Sequence, residues 1–184
     1  LTDPSLTRLE EKELLDRMNR EVGPIPEEAV RYYAETADRS APAWQTWLRI
    51  MTYLVFVDGM LRTADAQAAQ GANVYMYRFD YETPAFGGQL KACHTLELPF
   101  VFHNLHQPGV ENFVGNRPER EAIASEMHGA WLSFARTGNP NGAHLPEKWP
   151  VYTKEHKPVF VFSAASHVED DPFGREREAW QGRL

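Results

Sequence analysis

The sequence predicts an α/β fold, and within that class the last part of an open sheet rather than a complete one. Three observations carry this expectation. Three helical segments come first, ahead of any extended run. A β-branched and aromatic run at residues 73–79 then reads as a strand. One more strong helix separates it from two short extended runs near the end, too few strands for a whole sheet.

The first helix is announced by Thr7-Arg8-Leu9-Glu10, a capping box in which Glu10 reaches back to the cap. Leu9, Leu14, Leu15 and Met18 follow at loosely helical spacing, and Gly23-Pro24-Ile25-Pro26 breaks the run. A second helix has Pro26 in its first turn, with Glu27 and Glu28 suited to the positive end of the helix dipole. A long helix starts near Pro42, with Trp44, Trp47, Leu48, Met51 and Val55 on its expected buried face. Asp58-Gly59 is a place to bend it, residues 64–69 continue it, and Gly71 stops it.

After the strand, Pro84, Gly87 and Gly88 make residues 81–90 a loop. A second loop is expected at 107–118. Ile123, Met127, Ala130, Trp131 and Phe134 then form one apolar stripe of a helix ending at Gly138, with Asn139-Pro140-Asn141-Gly142 as a turn. Residues 149–152 and 158–162 are short extended runs that either pair as a hairpin or run on separately. The rest is a polar tail, with a last helical turn at 175–180.

The chain has 184 residues, 42% hydrophobic and 24% charged, which suits about one folded domain. A net charge of −7 argues against a nucleic-acid partner. No apolar run approaches the roughly 20 residues that span a bilayer, so no membrane partner is expected. There is no signal-peptide pattern, and residue 1 is Leu, so the chain is expected to start downstream of its translation start. Cys93 is the one cysteine, which excludes an internal disulfide and is compatible with a reducing compartment; a cytoplasmic location is favoured, and secretion of the full protein is left open.

Imidazole accepts and returns protons near neutrality, so His94, in a loop after the strand, is a candidate general base. Functional groups of open α/β sheets gather outside the carboxyl ends of strands. By its spacing alone, His94 reads more readily as one surface or core histidine among seven. Cys93 beside it is a weaker candidate nucleophile, since adjacent side chains of an extended stretch point apart. His94, His103 and His106 lack metal-site spacing, so no metal is expected, and His128 reads as a structural histidine. Trp44 and Trp47 read as core, with a pocket role open. Glu119-Arg120-Glu121 reads as a solvated first turn, Arg175-Glu176-Arg177-Glu178 as a salt-bridged surface, and Asp58 as half of a structural ion pair.

Four segments carry a family resemblance. Ala92-Cys93-His94-Thr95-Leu96-Glu97-Leu98-Pro99-Phe100-Val101-Phe102 resembles the histidine segment of the type-B carboxylesterases, the family of the para-nitrobenzyl esterases and cholinesterases. Val74-Tyr75-Met76-Tyr77-Arg78-Phe79-Asp80 resembles the strand before it. Trp131-Leu132-Ser133-Phe134-Ala135-Arg136-Thr137-Gly138-Asn139-Pro140-Asn141 and Trp149-Pro150-Val151-Tyr152 resemble the late helix with its turn and the segment that follows.

The resemblance implies an α/β-hydrolase fold and hydrolysis of carboxylic esters. A serine attacks the ester carbonyl, a histidine takes its proton, and an acid orients the imidazole. Only the histidine maps onto this chain, as His94. Ser5, Ser40, Ser125, Ser133, Ser163 and Ser166 all lack the Gly-x-Ser-x-Gly setting, and the glycine-rich oxyanion loop is absent. Glu10 and Glu13 do not match the acid's motif. Residues 1–184 are therefore expected to be the C-terminal portion of a single α/β-hydrolase domain, with the N-terminal portion of the same protein as partner. The implied ligand is a small-molecule ester, with no cofactor. The ester's identity and the oligomeric state are left open. The alternative is a catalytically inactive binding or adhesion module on the same fold.

Overall fold

The computed structural model describes residues 10–38 and 40–181. The capping box at Thr7, Arg8 and Leu9 lies outside the described residues, as does Ser5. The chain divides into two compact units, Leu1–Thr63 with Phe173–Leu184, and Ala64–Pro172.

The first unit is helical. Helix α1 (Glu11–Val22) ends at Gly23, whose φ of 82° is the stop that the Gly-Pro run predicts. Helix α2 (Glu27–Thr36) opens with Glu27 and Glu28 in its first turn. Helix α3 (Ala43–Thr52) runs into a π-helical turn at Tyr53–Val57 before α4 (Asp58–Ala69) resumes. The short C-terminal helix α8 (Gly174–Ala179) also belongs here. Met18, Ala29, Tyr33, Trp47, Ile50, Tyr53 and Trp180 are buried together in this unit. Arg17 lies over the Trp47 ring at 5.2 Å, and the Tyr53 and Trp180 rings stack at 6.1 Å.

The predicted face of the long helix needs correction. The buried side runs through Trp47, Ile50, Tyr53, Val57 and Leu61, while Leu48 is 39% and Val55 57% exposed. Residues 53–57 are all apolar, so periodicity did not single out a face. The π turn then adds a residue to one turn and shifts the phase.

The second unit holds a three-stranded sheet in the order β1-β2-β3. Strand β1 (Met76–Phe79) pairs in parallel with β2 (Pro158–Phe162), Met76 opposite Val159 and Phe79 opposite Phe162. Parallel neighbours need a crossover, and helix α7 (Arg120–Thr137) lies within it. All five residues of β2 are buried, which explains its unbroken apolar run; Pro158 sits at the first position, where its missing N–H is tolerated. Strand β3 (His167–Asp170) runs antiparallel to β2, in what reads from sequence as tail. Its His-Val-Glu-Asp composition hides it: as an outer strand it needs only backbone pairing, and only one residue in four is apolar. The runs at 149–152 and 158–162 do not form a hairpin. Tyr152 instead donates its N–H to the Val74 carbonyl, 2.8 Å, ahead of β1.

Two short helices, α5 (Leu98–Val101) and α6 (Glu111–Val114), precede α7. Ile123, Ala124, Met127 and Ala130 bury one face of α7 against Leu96, Phe100, Val114, Trp149, Phe160 and Phe162. Helix α7 stops at Gly138, φ 73°, whose N–H reaches the Phe134 carbonyl at 2.7 Å. The next turn is locked by Asn141, which accepts from the Trp149 N–H at 2.7 Å and donates to the Trp149 carbonyl at 2.9 Å.

Candidate active site

The candidate site lies beyond the carboxyl end of β1. Arg78, near that end of β1, reaches across the sheet: it donates to both carboxylate oxygens of Asp80 at 2.8 and 2.7 Å, and to both of Glu169 on β3 at 2.8 and 3.0 Å. These four charge-assisted bonds hold the arginine protonated well above its usual range. Sequence reading passed over this clamp, although a lone arginine in an aromatic strand is a signal for one.

The loop after β1 is anchored before it reaches the histidine. Tyr81, buried, donates its hydroxyl to the Val114 carbonyl at 3.0 Å. Thr83, fully buried, donates its hydroxyl to the Phe113 carbonyl at 2.7 Å and accepts the Ala85 N–H at 3.0 Å. Its own N–H meets the Lys91 carbonyl at 3.3 Å and closes the loop, while Lys91 and Glu82 pair at 3.1 Å. Sequence reading missed Thr83, although Thr-Pro at the start of a loop is a turn-forming signal.

His94 follows, exposed, in a run of tight turns leading into α5. The Leu96 N–H reaches the Cys93 carbonyl at 3.1 Å, and the Leu98 N–H reaches the Thr95 carbonyl at 3.2 Å. Thr95 has φ 71°, rare for a β-branched residue, so the backbone beside His94 is held in a costly conformation by its surroundings. Leu96 and Phe100 supply the hold, both fully buried. The arrangement is an exposed histidine on a core-anchored turn, in the connection that follows β1.

The other candidates fall away from this position. Cys93 is half-buried, and burial pushes its thiol up, away from the reactive thiolate. His128 donates Nδ1–H to the Val101 carbonyl at 2.8 Å and stacks on His103, a structural role. His106 lies 3.4 Å from Glu121. Among the described residues no group of three or more His, Cys, Asp or Glu is arranged to hold a metal ion. Asp58 pairs with Arg62 at 3.0 Å, and Trp47 is core. Two surface readings are corrected. Arg120 is no solvated charge: its side chain is 15% exposed and it donates to the Gly115 carbonyl while pairing with Glu121 at 3.2 Å. Glu176 is not on a salt-bridged surface, for it accepts the buried Tyr33 hydroxyl. Four of the described serines donate to nearby oxygens. Ser40 donates to Asp38 at 2.6 Å, Ser125 to the Glu121 carbonyl at 2.9 Å, Ser133 to the Asn139 carbonyl at 2.8 Å and Ser166 to Glu126 at 2.5 Å.

Comparison with known proteins places this geometry. A solved carboxylesterase, EST55 of Geobacillus stearothermophilus, superposes with TM-score 0.88 at 82% identity, over 98% of this chain and 37% of that one. A PNB esterase structure superposes with TM-score 0.67 at 29% identity, over 94% of this chain and 33% of that one. The para-nitrobenzyl esterase of Bacillus subtilis is 33% identical over 146 residues, 78% of this chain and 29% of the relative. The phenmedipham hydrolase of Pseudarthrobacter oxydans is 30% identical over 161 residues, 86% of this chain and 32% of the relative. The chain thus spans about a third of the length of these relatives. The fold is that of the α/β-hydrolases, represented here by an incomplete sheet with its helices. The family model described as the carboxylesterase family matches residues 4–180, and the chain belongs to that family.

Proposed function

We propose that residues 1–184 are the C-terminal portion of a single α/β-hydrolase domain of a serine carboxylesterase, and that His94 is its general base. The observation that carries this reading is the exposed histidine on a strained, core-anchored turn in the connection that follows β1. The substrate is a carboxylic ester. Nε2 or Nδ1 of His94 takes the proton of a serine hydroxyl as that oxygen attacks the ester carbonyl, and returns it to the departing alcohol. In the second half it takes a proton from water as that oxygen attacks the acyl-serine, then returns the proton to the departing serine oxygen, which releases the acid and restores the serine hydroxyl. The serine, the oxyanion hole and the triad acid come from the N-terminal portion, because the serines of this chain lack the required turn. Membership among relatives named as esterases and hydrolases supports catalysis over an inactive binding module.

The test is hydrolysis of p-nitrophenyl butyrate by two proteins. The complete protein carrying this chain turns the ester over, while residues 1–184 alone stay at the buffer blank. A folded complete protein inert toward a panel of p-nitrophenyl esters contradicts the reading, as does catalysis by the isolated chain.

A further inference from the structure

Among the described residues Thr83 is one of two buried polar ones, and the chemistry proposed above does not use its hydroxyl. It lies in the connection from β1 to His94. A buried hydroxyl needs partners, and Thr83 has them. Its Oγ1 donates to the Phe113 carbonyl at 2.7 Å and accepts the Ala85 N–H at 3.0 Å. The backbone N–H of the same residue meets the Lys91 carbonyl at 3.3 Å, so the loop 83–91 closes on Thr83 itself. The chain reaches His94 three residues after that closure.

The backbone along this path does not hold itself. Phe86, Gly87, Gly88, Lys91 and Thr95 all have positive φ, between 52° and 75°. Phe86, Lys91 and Thr95 carry side chains, and such a run persists only when its surroundings over-determine it. After His94 the hold is the burial of Leu96 and Phe100. Before His94 the hold is the end of α6. Thr83 donates to the Phe113 carbonyl there, Tyr81 to that of Val114 and Arg120 to that of Gly115. Pro84 rests on Gly115 so closely that a Cβ there would lie 2.5 Å from the proline ring. Of these groups, Thr83 is the one that also bonds the far end of the loop, at Lys91. These contacts are made within this chain, so they do not depend on the N-terminal portion.

We propose that Thr83 is a positioning residue for the reaction. Its hydroxyl fixes the start of the loop on α6, its N–H fixes the end of the loop, and together they set where His94 stands. Being fully buried, it does not touch the ester. This inference rests on the reading of His94 as general base. It adds what holds that base in place.

The experiment follows p-nitrophenyl butyrate with the complete protein, in the burst of p-nitrophenol and in the steady state. Thr83→Val keeps the shape and removes the hydroxyl, which leaves the Phe113 carbonyl and the Ala85 N–H without that partner. The burst rate constant and kcat should each fall about tenfold or more, the scale of a small misplacement of a catalytic group, with KM within about twofold of the parent. Thr83→Ser keeps the hydroxyl and should stay within about threefold of the parent. Thr83→Ala carries the same expectation as Thr83→Val and replaces it where that variant does not fold. Loss of stability alone gives a smaller burst at the parental rate constant, and that result overturns the inference. So does a rise in KM with kcat unchanged, or a Thr83→Ser variant as slow as Thr83→Val. His94→Ala is measured alongside. Full turnover in that variant fails the base assignment whatever the Thr83 variants do. Lost turnover there, with parental rate constants in Thr83→Val, fails the positioning role alone.

Discussion

Gly115 has φ 77°, and a Cβ built there would lie 2.5 Å from Cγ and Cδ of Pro84. Any other residue must both adopt a left-handed backbone and displace the loop that carries Phe86. Gly115→Ala is therefore expected to destabilise the protein by about 1–3 kcal/mol and lower esterase activity beyond that loss. Thermal melts paired with kcat/KM check this; a variant with unchanged melting and activity contradicts the tight approach. Residue chemistry was partly legible in sequence. His94 was singled out by its residue type and its place after a strand, and the motif around it suggested the role proposed above. Thr83, Arg78 and Arg120 were not, because the Phe113 and Gly115 carbonyls and the Glu169 carboxylate that they reach lie 30, 5 and 91 positions away. A one-dimensional pattern cannot pair such groups.

At the scale of elements, α8 has an electrostatic hold with a definite pH sign. Glu176 accepts the Tyr33 hydroxyl from α2, Tyr33 accepts the Trp180 indole N–H at 3.2 Å, and Arg49 of α3 lies over the Tyr33 ring at 5.5 Å. Burial raises the Glu176 carboxyl above its ordinary range, against the smaller opposing pulls of the Tyr33 bond and Arg49. A carboxyl whose folded value is raised binds its proton more tightly in the native state. Its stabilising effect is present in acid and is lost as pH rises through the folded value. Glu176→Gln removes this loss and keeps an oxygen for Tyr33. Hydrogen exchange of α8 amides in the complete protein should be slower in the variant than in the parent near pH 7, with no difference near about pH 4. Faster exchange in the variant near pH 7 contradicts the sign. Helix α7 was legible in its extent and in Ile123, Met127 and Ala130, whereas Phe134, at the end of the expected stripe, is 44% exposed. The α3 face was not, because a π turn inside a run of five apolar residues changes the phase without a sequence mark. Strand β3 was missed because an outer strand needs little apolar surface.

The chain is about a third of the length of its relatives. The proposed base lies in it, and the proposed nucleophile lies outside it. The missing nucleophile setting is readable in sequence, since a Gly-x-Ser-x-Gly turn is a local pattern whose absence is as readable as its presence. The measurement that tests the central claim most directly is the burst of p-nitrophenol in the first turnover of the complete protein carrying His94→Ala. The account predicts that the stoichiometric burst disappears and that kcat falls by about 10⁴-fold or more, with the fold intact by circular dichroism. A burst of parental size and rate would contradict it and remove His94 from the mechanism.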